Sequence, residues 1–418
     1  MNDNHHIPSG YKPSPLGPIP EDWEVKRLGE IGDFSKGNGV PKDKIIKDKH
    51  RHPCLTYGDL YTKYDFVIKD IKSFIDNDVA SESKEIHIGD ICFAGSGETP
   101  EDIGKCAAYI EERTAFAGGD IIILSPNKGI NSIWLSYVLN SDIGGKQRYK
   151  SAQGFSIVHI YPDNLKRIQI PTPILKEQQR IVSVLSLWDT AIEKQTALIE
   201  QLALRKHGLM QQLLTGKKRL KGFEGEWKKC AIKSFAKEVS IKNTYNKDYI
   251  VLSCTKYDGL VPSLEYFGKQ IYSNDLSTYK VVPKNHFAYA TNHIEEGSIG
   301  YQAQYDNGLI SPMYTVFKTD KEKIDNTYFF AVLKSHHLIH LYQAMMEGSI
   351  NRRGGLRWDS FSTIKVDLPS LEEQKAISAF LYNADKEIEI QKQKLDAMQA
   401  QKKGLMQVLL TGKKRIKQ

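Results

Sequence analysis

Apolar residues return at alternating spacings of four and three through two long stretches of the chain. In the first, the rhythm is held by Ile181, Leu185, Trp188, Ile192, Gln195, Ile199, Leu202, Lys206, Leu209 and Leu213. In the second it is held by Ile377, Leu381, Ala384, Ile388, Gln391, Leu395, Met398, Lys402, Leu405 and Leu409. Such an a/d seam predicts a long coiled-coil helix in each stretch. Residues 177–219 and 373–415 align without a gap, since 373 − 177 and 415 − 219 both give 196. The match runs through solvent-facing positions as well as the seam, and a long repeat at fixed offset sets an architecture. Polar residues interrupt both seams at equivalent places, Gln195 with Gln391 and Lys206 with Lys402. Polar seam residues cost stability and can fix register and orientation. Ser370 with Glu373 gives a capping-box start, and Thr172 precedes Pro173, a good first helical residue. Gly216 and Gly412 are natural stops, each followed by basic residues.

Outside these stretches the periodicity shortens. Residues 1–20 are rich in Pro, Gly and His and are expected to form a loose arm. Residues 21–172 read as mixed strands and short helices, with strand candidates Ile86–Ala94, Ala107–Ile110 and Asp120–Leu124 and a helix over Ile133–Leu139. The basic linker GKKRLKGFEGEW follows the first long helix, and residues 222–368 then replay the first segment more loosely. Trp23 finds Trp227, SIWLSYVLN finds TYFFAVLKS, and LKRIQIPTPILKEQ finds FSTIKVDLPSLEEQ. The order is therefore globule, helix, globule, helix, over 21–172, 173–216, 217–368 and 369–415. The fold class expected is α+β: two mixed α/β globules separated by two long helices.

A length of 418 residues suits two or three domains. A formal net charge of +8 permits a polyanionic partner without requiring one. The five cysteines include no CxxC pair, so neither a zinc site nor a disulfide framework is indicated. No apolar run approaches membrane-spanning length and the start lacks a signal core, so a reducing cytoplasm and no membrane partner are expected.

The doubled PxxxEQ…I…L…D…I segments, each ending in GLMQ(Q/V)LLTGKKR, together with the diverged globules, resemble the specificity subunit of Type I restriction–modification enzymes. The likeness covers nearly the whole chain. It implies that the helices pair as an antiparallel coiled coil in pseudo-twofold relation and that the globules are target recognition domains, each reading one half of a split site in double-stranded DNA. It implies two modification subunits around the helices, supplying the methyltransferase, and restriction subunits adding ATP-driven translocation and cleavage. S-adenosylmethionine, Mg2+ and ATP would then belong to the partner subunits, with no cofactor in this chain. Asp189 and Asp385, equivalent in the two helices, would pair with lysines or contact the modification subunits.

Several motifs tempt toward catalysis. Phe93-Ala94-Gly95-Ser96-Gly97 fits FxGxG, a pattern similar to the cofactor loop of DNA methyltransferases, but a short glycine pattern is weak and a turn between strands explains it. No Asn-Pro-Pro-aromatic or Asp-Pro-Pro-aromatic motif exists in the chain, and Gly104-Lys105 lacks the rest of a P-loop. His336 and His340 share a helix face at a metal-binding spacing, without a supporting acidic or cysteine ligand, so no metal site is expected. A chain without catalytic residues is the reading. A protein-binding scaffold and a self-contained methyltransferase are the alternatives.

For base reading, Asn351, Arg352, Arg353 and Arg357 stand out in the second globule, since arginines suit guanine edges and phosphates and the adjacent glycines allow close approach. Their counterparts are Lys150 and Gln153. Further candidates are Tyr57, Lys63 and Tyr64 in the first globule and Lys256, Tyr257, Asn292 and His293 in the second. The bases read, the spacer length and the register of the helix pair are not in the sequence.

Overall fold

The structure, a computed structural model, describes residues 7–154, 157–347 and 355–416. The chain divides into two compact units, Met1–Thr196 with Gln393–Gln418, and Ala197–Lys392. Each unit thus holds one globule and a segment of each long helix.

In the first unit the main sheet has the strand order β1-β5-β3-β4-β2, with β1 at Gly32–Lys36, β2 at Val67–Ile68, β3 at Ile91–Ala94, β4 at Cys106–Tyr109 and β5 at Ile121–Pro126. All four residues of β3 and of β4 are buried, which accounts for continuous apolar runs where alternation would mark a half-solvated strand. The expected strand Ile86–Ala94 is broken in two. Lys84–Ile86 belongs to a second sheet, and a turn at His87–Asp90 separates it from β3. Gly89 takes φ +95° there and the Asp90 carboxylate accepts the His87 N–H, a local turn that overrides the apolar run. Helix α1, Ser132–Asn140, is capped by the Asn131 side chain and packs on β4. The entering strand Glu24–Arg27 pairs antiparallel with the leaving strand Gln169–Thr172. Thr172 therefore ends a strand, and the helix that follows, α2, runs over Leu175–Leu214.

The expected loose arm is not loose where it is described. Tyr11–Lys12 pairs with Ile19–Pro20, with Gly10 and Gly17 at positive φ, and the Tyr11 hydroxyl donates to the Gly412 carbonyl at 2.8 Å. Buried Ile19 and Trp23 then join the same core as Ile181, Leu185, Leu409 and Leu410 from the helix segments. Fully burying each such aliphatic side chain is worth about 2 kcal/mol.

The second unit repeats this plan. Its main sheet has the order β6-β9-β7-β8, with β6 at Ala236–Val239, β7 at His286–Ala290, β8 at Ile299–Gln302 and β9 at Tyr314–Thr319. This is the order of β1, β5, β3 and β4. Strands Lys228–Ala231 and Lys365–Leu368 pair as the globule's entry and exit. Helix α3, Asn326–Leu333, is capped by Asp325, and helix α4 runs over Leu371–Leu409. At the start of α4, Ser370 Oγ accepts the Glu373 N–H at 3.2 Å. Only that half of the predicted capping box forms, because the Glu373 carboxylate turns to Arg219. Gly216 and Gly412 end the helices at φ +68° and +72°, and a Cβ on Gly412 would lie 2.5 Å from Pro20 Cγ. Among the described residues, no helix is long and apolar enough to cross a membrane.

Candidate nucleic-acid interface

In the first globule, helix Tyr57–Thr62 starts at Thr56, whose hydroxyl and N–H both donate to Asp59. Tyr57 is half-buried at this start, and exposed Lys63 at its end pairs with Asp59 at 2.6 Å. Tyr64 departs from expectation. It is 9 % exposed in a cluster with Leu60, Ile68 and Tyr109, so its ring serves packing, and burial pushes its phenol up to about 12. Lys150 and Gln153 are exposed, and the Gln153 backbone pairs with His159 at 3.0 and 2.7 Å. That pairing brings His159 and the half-exposed Tyr161 to the same edge as Lys150 and Gln153, with the two rings stacked at 6.5 Å. The sequence reading missed Tyr161, and it missed the exposed basic stretch Lys42, Lys44, Lys47, Lys49 and Arg51. The Arg113 guanidinium donates to the Lys49 carbonyl at 3.1 Å and to the Arg51 carbonyl, which fixes the course of this loop. Its signal in the sequence was plain, five cations against Asp43 and Asp48 over ten residues.

The FxGxG stretch meets structural needs. A Cβ on Gly97 would lie 2.7 Å from the Tyr61 hydroxyl, and one on Gly95 would lie 2.9 Å from the Asp120 carbonyl. Ser96–Gly97 pairs with Val158–His159, and Ser96 Oγ lies 3.0 Å from His159 Nδ1.

In the second globule, Lys256 stands over the ring of Tyr257 at 5.3 Å, and Tyr257 is 79 % exposed. Exposed Asn292 and His293 follow β7, and His293 pairs loosely with Glu296 at 3.7 Å. The Leu356 N–H donates to the Thr291 carbonyl at 2.8 Å, and a Cβ on Gly355 would lie 2.3 Å from Asn292 Oδ1. The fold thereby joins Asn292 and His293 to the segment ending in exposed Arg357, residues distant in sequence. Asn351, Arg352 and Arg353 lie outside the described residues. Tyr245, 87 % exposed between Lys242 and Lys247, was missed. His336 and His340 meet at 3.1 Å between Nε2 atoms. His293, Glu295 and Glu296 bring ligand atoms within 4.8 Å of one another, a surface cluster that is not a site by itself.

Every predicted seam position is buried or half-buried: Ile181, Leu185, Trp188, Ile192, Ile199, Leu202 and Leu209 on α2, and Ile377, Leu381, Ile388, Leu395, Met398 and Leu405 on α4. Leu187 and Leu204 are 71 % and 73 % exposed on α2. In the first unit Arg415 joins Glu177 and Asp22, and Lys402 joins Asp189. In the second, Arg219 joins Glu373 and Lys206 joins Asp385. These are the same pairs displaced by 196, since 177 + 196 = 373, 219 + 196 = 415, 189 + 196 = 385 and 206 + 196 = 402.

The model of the family described as Type I restriction modification DNA specificity domain matches residues 20–203 and 225–400. A putative type I restriction enzyme MjaX specificity subunit of Methanocaldococcus jannaschii is 30 % identical, the match covering 97 % of each chain. The S subunit of a Type I restriction-modification system from M. genitalium shares the fold at a TM-score of 0.52 and 16 % identity over 98 % of each chain. A chain solved to explain complex assembly and conformational transition of the type I R-M system shares it at a TM-score of 0.60 and 15 % identity, covering 94 % of this chain and 99 % of that one.

Proposed function

This chain belongs to the family of the Type I restriction modification DNA specificity domain, and from that premise we propose that it is the non-catalytic subunit that selects DNA for a Type I restriction–modification complex. Each globule, over 21–172 and 217–368, reads one half of a bipartite site. The observation that carries this is the pairing of one strand order with two unlike surfaces. The frames repeat as β1-β5-β3-β4 and β6-β9-β7-β8. The exposed residues on them do not repeat: the lysine-rich stretch 42–51 and the edge at Lys150, Gln153 and Tyr161 in one, and Lys256, Tyr257, Asn292, His293 and Arg357 in the other. Phosphates supply most of the affinity, and base edges supply the selection.

The helices α2 and α4 pair as an antiparallel coiled coil with pseudo-twofold symmetry. Support comes from the ion pairs, whose partner numbers run in opposite directions: Glu177 with Arg415 and Asp189 with Lys402, Glu373 with Arg219 and Asp385 with Lys206. Two modification subunits dock along these helices, where Leu187 and Leu204 offer uncovered apolar surface, and restriction subunits join them. S-adenosylmethionine, Mg2+ and ATP act in those partners.

The test is the methylome of cells carrying this chain with its modification subunit. A two-part motif with a fixed non-specific gap is expected, and Lys256→Ala with Asn292→Ala is expected to relax one part only. Relaxation of both parts, or a chain alone whose DNA shift shows no salt dependence, would refute the reading.

A further inference from the structure

In the first unit the Lys402–Asp189 pair is covered by two aromatic side chains. The Tyr137 hydroxyl donates to Asp189 Oδ2, and Lys402 Nζ lies 3.8 Å from the Phe66 ring centre and 5.3 Å from that of Tyr137. The lysine side chain is left 7 % exposed. An ammonium against aromatic faces beside a carboxylate that accepts a phenol is a complete site for a tyrosine.

The second unit keeps the pair and omits the cover. Lys206 and Asp385 are 25 % and 58 % exposed. Helices α1 and α3 align by their caps, because the N–H groups of Asn131 and Asp325, or of the residues they cap, meet equivalent partners: Asn131 N donates to Gln178 and Asp325 N to Gln374, each at 2.8 Å. Six residues beyond the cap stands Tyr137 in α1 (137 − 131) and Ala331 in α3 (331 − 325). The loop aromatic differs as well. Asn140 reaches the Asp65 carbonyl just before Phe66, and Lys334, at the same position after its cap, donates to the Lys256 carbonyl just before Tyr257. Phe66 is half-buried, whereas Tyr257 points to solvent. Lys334 also donates to the carbonyls of Thr255 and Gly297, which pins the loop with Tyr257 outward. What remains is a cleft of about 640 Å³ lined by Lys206, Asp385, Phe330, Ala331 and Leu381, with Tyr257 and 65 % exposed Tyr382 at its rim.

We propose that this cleft receives the tyrosine side chain of a partner polypeptide, which rests on the reading that partner subunits dock against the helices. The incoming phenol donates to Asp385 and its ring lies against Lys206 and Phe330, as Tyr137 and Phe66 serve the first unit. A phenylalanine would leave the carboxylate with the Lys206 donor alone.

The experiment titrates the full chain with N-acetyl-L-tyrosinamide and N-acetyl-L-phenylalaninamide, followed by ligand-observed NMR. Saturable binding is expected, about tenfold tighter for the tyrosine probe. Ala331→Tyr, checked for unchanged melting, is expected to abolish binding of both. Asp385→Ala, at a carboxylate 58 % exposed and checked for unchanged melting, removes the acceptor and is expected to erase the preference for tyrosine. No saturable binding, binding untouched by Ala331→Tyr, or binding that emerges only in Tyr257→Ala would overturn the proposal, the last by making the chain's own Tyr257 the occupant. The titration contains no DNA. A chain that binds its DNA and ignores the probe therefore refutes the cleft alone, and the reverse result refutes only the DNA reading.

Discussion

The two units carry the same ion pairs on the same helix positions and finish them differently. In the first, Glu177 accepts from Arg415 and from the Trp23 indole at 3.1 Å, Asp22 takes the other side of the guanidinium, and Arg415 lies over the Trp23 ring. In the second, Arg219 holds Glu373 and lies over Trp227, but the buried Trp227 indole nitrogen has no acceptor and Arg219 meets no second carboxylate among the described residues. The lysine pairs differ likewise, plugged by Tyr137 in one unit and open beside Ala331 in the other. The shared parts are those a repeated helix needs to find its neighbour. The differing parts come from the globules, which are free to leave a surface open where the chain has another use for it. Removing the finishing groups one at a time measures how much each contributes.

The largest effect is expected from Tyr137→Ala. The ring is 1 % exposed and its hydroxyl bonds Asp189, and burial, with that bond, holds the phenol above its ordinary range. Loss of a buried aromatic costs about 4 kcal/mol, read as a lower denaturant midpoint for the unfolding of the first unit. The variant should also gain a binding site for N-acetyl-L-tyrosinamide in that unit. A cost below about 1 kcal/mol would mean that Tyr137 is not what closes the first unit.

Next is Glu177→Ala, which leaves the buried Trp23 indole without its acceptor and Arg415 with Asp22 as its only carboxylate among the described residues. A buried donor left without its acceptor costs about 2 kcal/mol. Glu373→Ala takes the carboxylate from Arg219, which is 26 % exposed and can turn to water, and strands no indole, since Trp227 never had that carboxylate as an acceptor, so it should cost less. Equal or reversed losses in thermal melting would show that the indole bond contributes nothing.

The helices and the repeat were legible because a seam is periodic and an ungapped offset needs no structure to see. The ion pairs were half legible. Asp189 and Asp385 were matched, and Lys206 and Lys402 were noted as seam interruptions, but joining them requires the direction in which the helix segments meet. The plugging of one pair was not legible. Tyr137 and Ala331 become equivalent only when the caps at Asn131 and Asp325 align the helices, one residue away from the alignment that sequence similarity suggests. Tyr64 looked like Tyr57 in sequence, and only burial separates them. Of the loops that would touch DNA, the stretch 42–51 was legible by its charge run, whereas isolated residues such as Tyr161 and Tyr245 left the weakest trace, since they follow no period.

A comparable effect follows from Asp189→Asn against Asp385→Asn. Burial lowers the pKa of Lys402, and the Asp189 hydrogen bond opposes that shift. Replacing Asp189 should cost about 2 kcal/mol near neutrality, the worth of a charged hydrogen bond. The folded pKa then falls further below the unfolded value near 10.5. In the window between them the unfolded state binds more protons, so stability from this group rises with pH and the deficit shrinks toward alkaline conditions. Asp385→Asn, at an exposed pair, should cost under about 1 kcal/mol. A deficit in Asp189→Asn that grows with pH would contradict the assigned burial of Lys402.

The smallest effect concerns Asp22, the acidic group that the second clamp does not use. The hydrogen bond from Arg415 holds its carboxyl below the usual value of 3.8. A folded pKa below the unfolded one stabilises above the unfolded value, and that contribution is lost as the pH falls through the folded one. The side chain is 58 % exposed, so solvent screens the pair and Asp22→Asn should cost a few tenths of a kcal/mol, about the value of a surface ion pair. The cost should be present at neutral pH and vanish in strong acid, because the protonated native side chain then resembles the amide. Glu226, which precedes Trp227 as Asp22 precedes Trp23, is exposed, and Glu226→Gln should change nothing at either pH. Acid titration of the two variants, followed by fluorescence of the adjacent tryptophans, separates the outcomes. An equal response at both positions would show that Arg415 draws nothing from its second carboxylate.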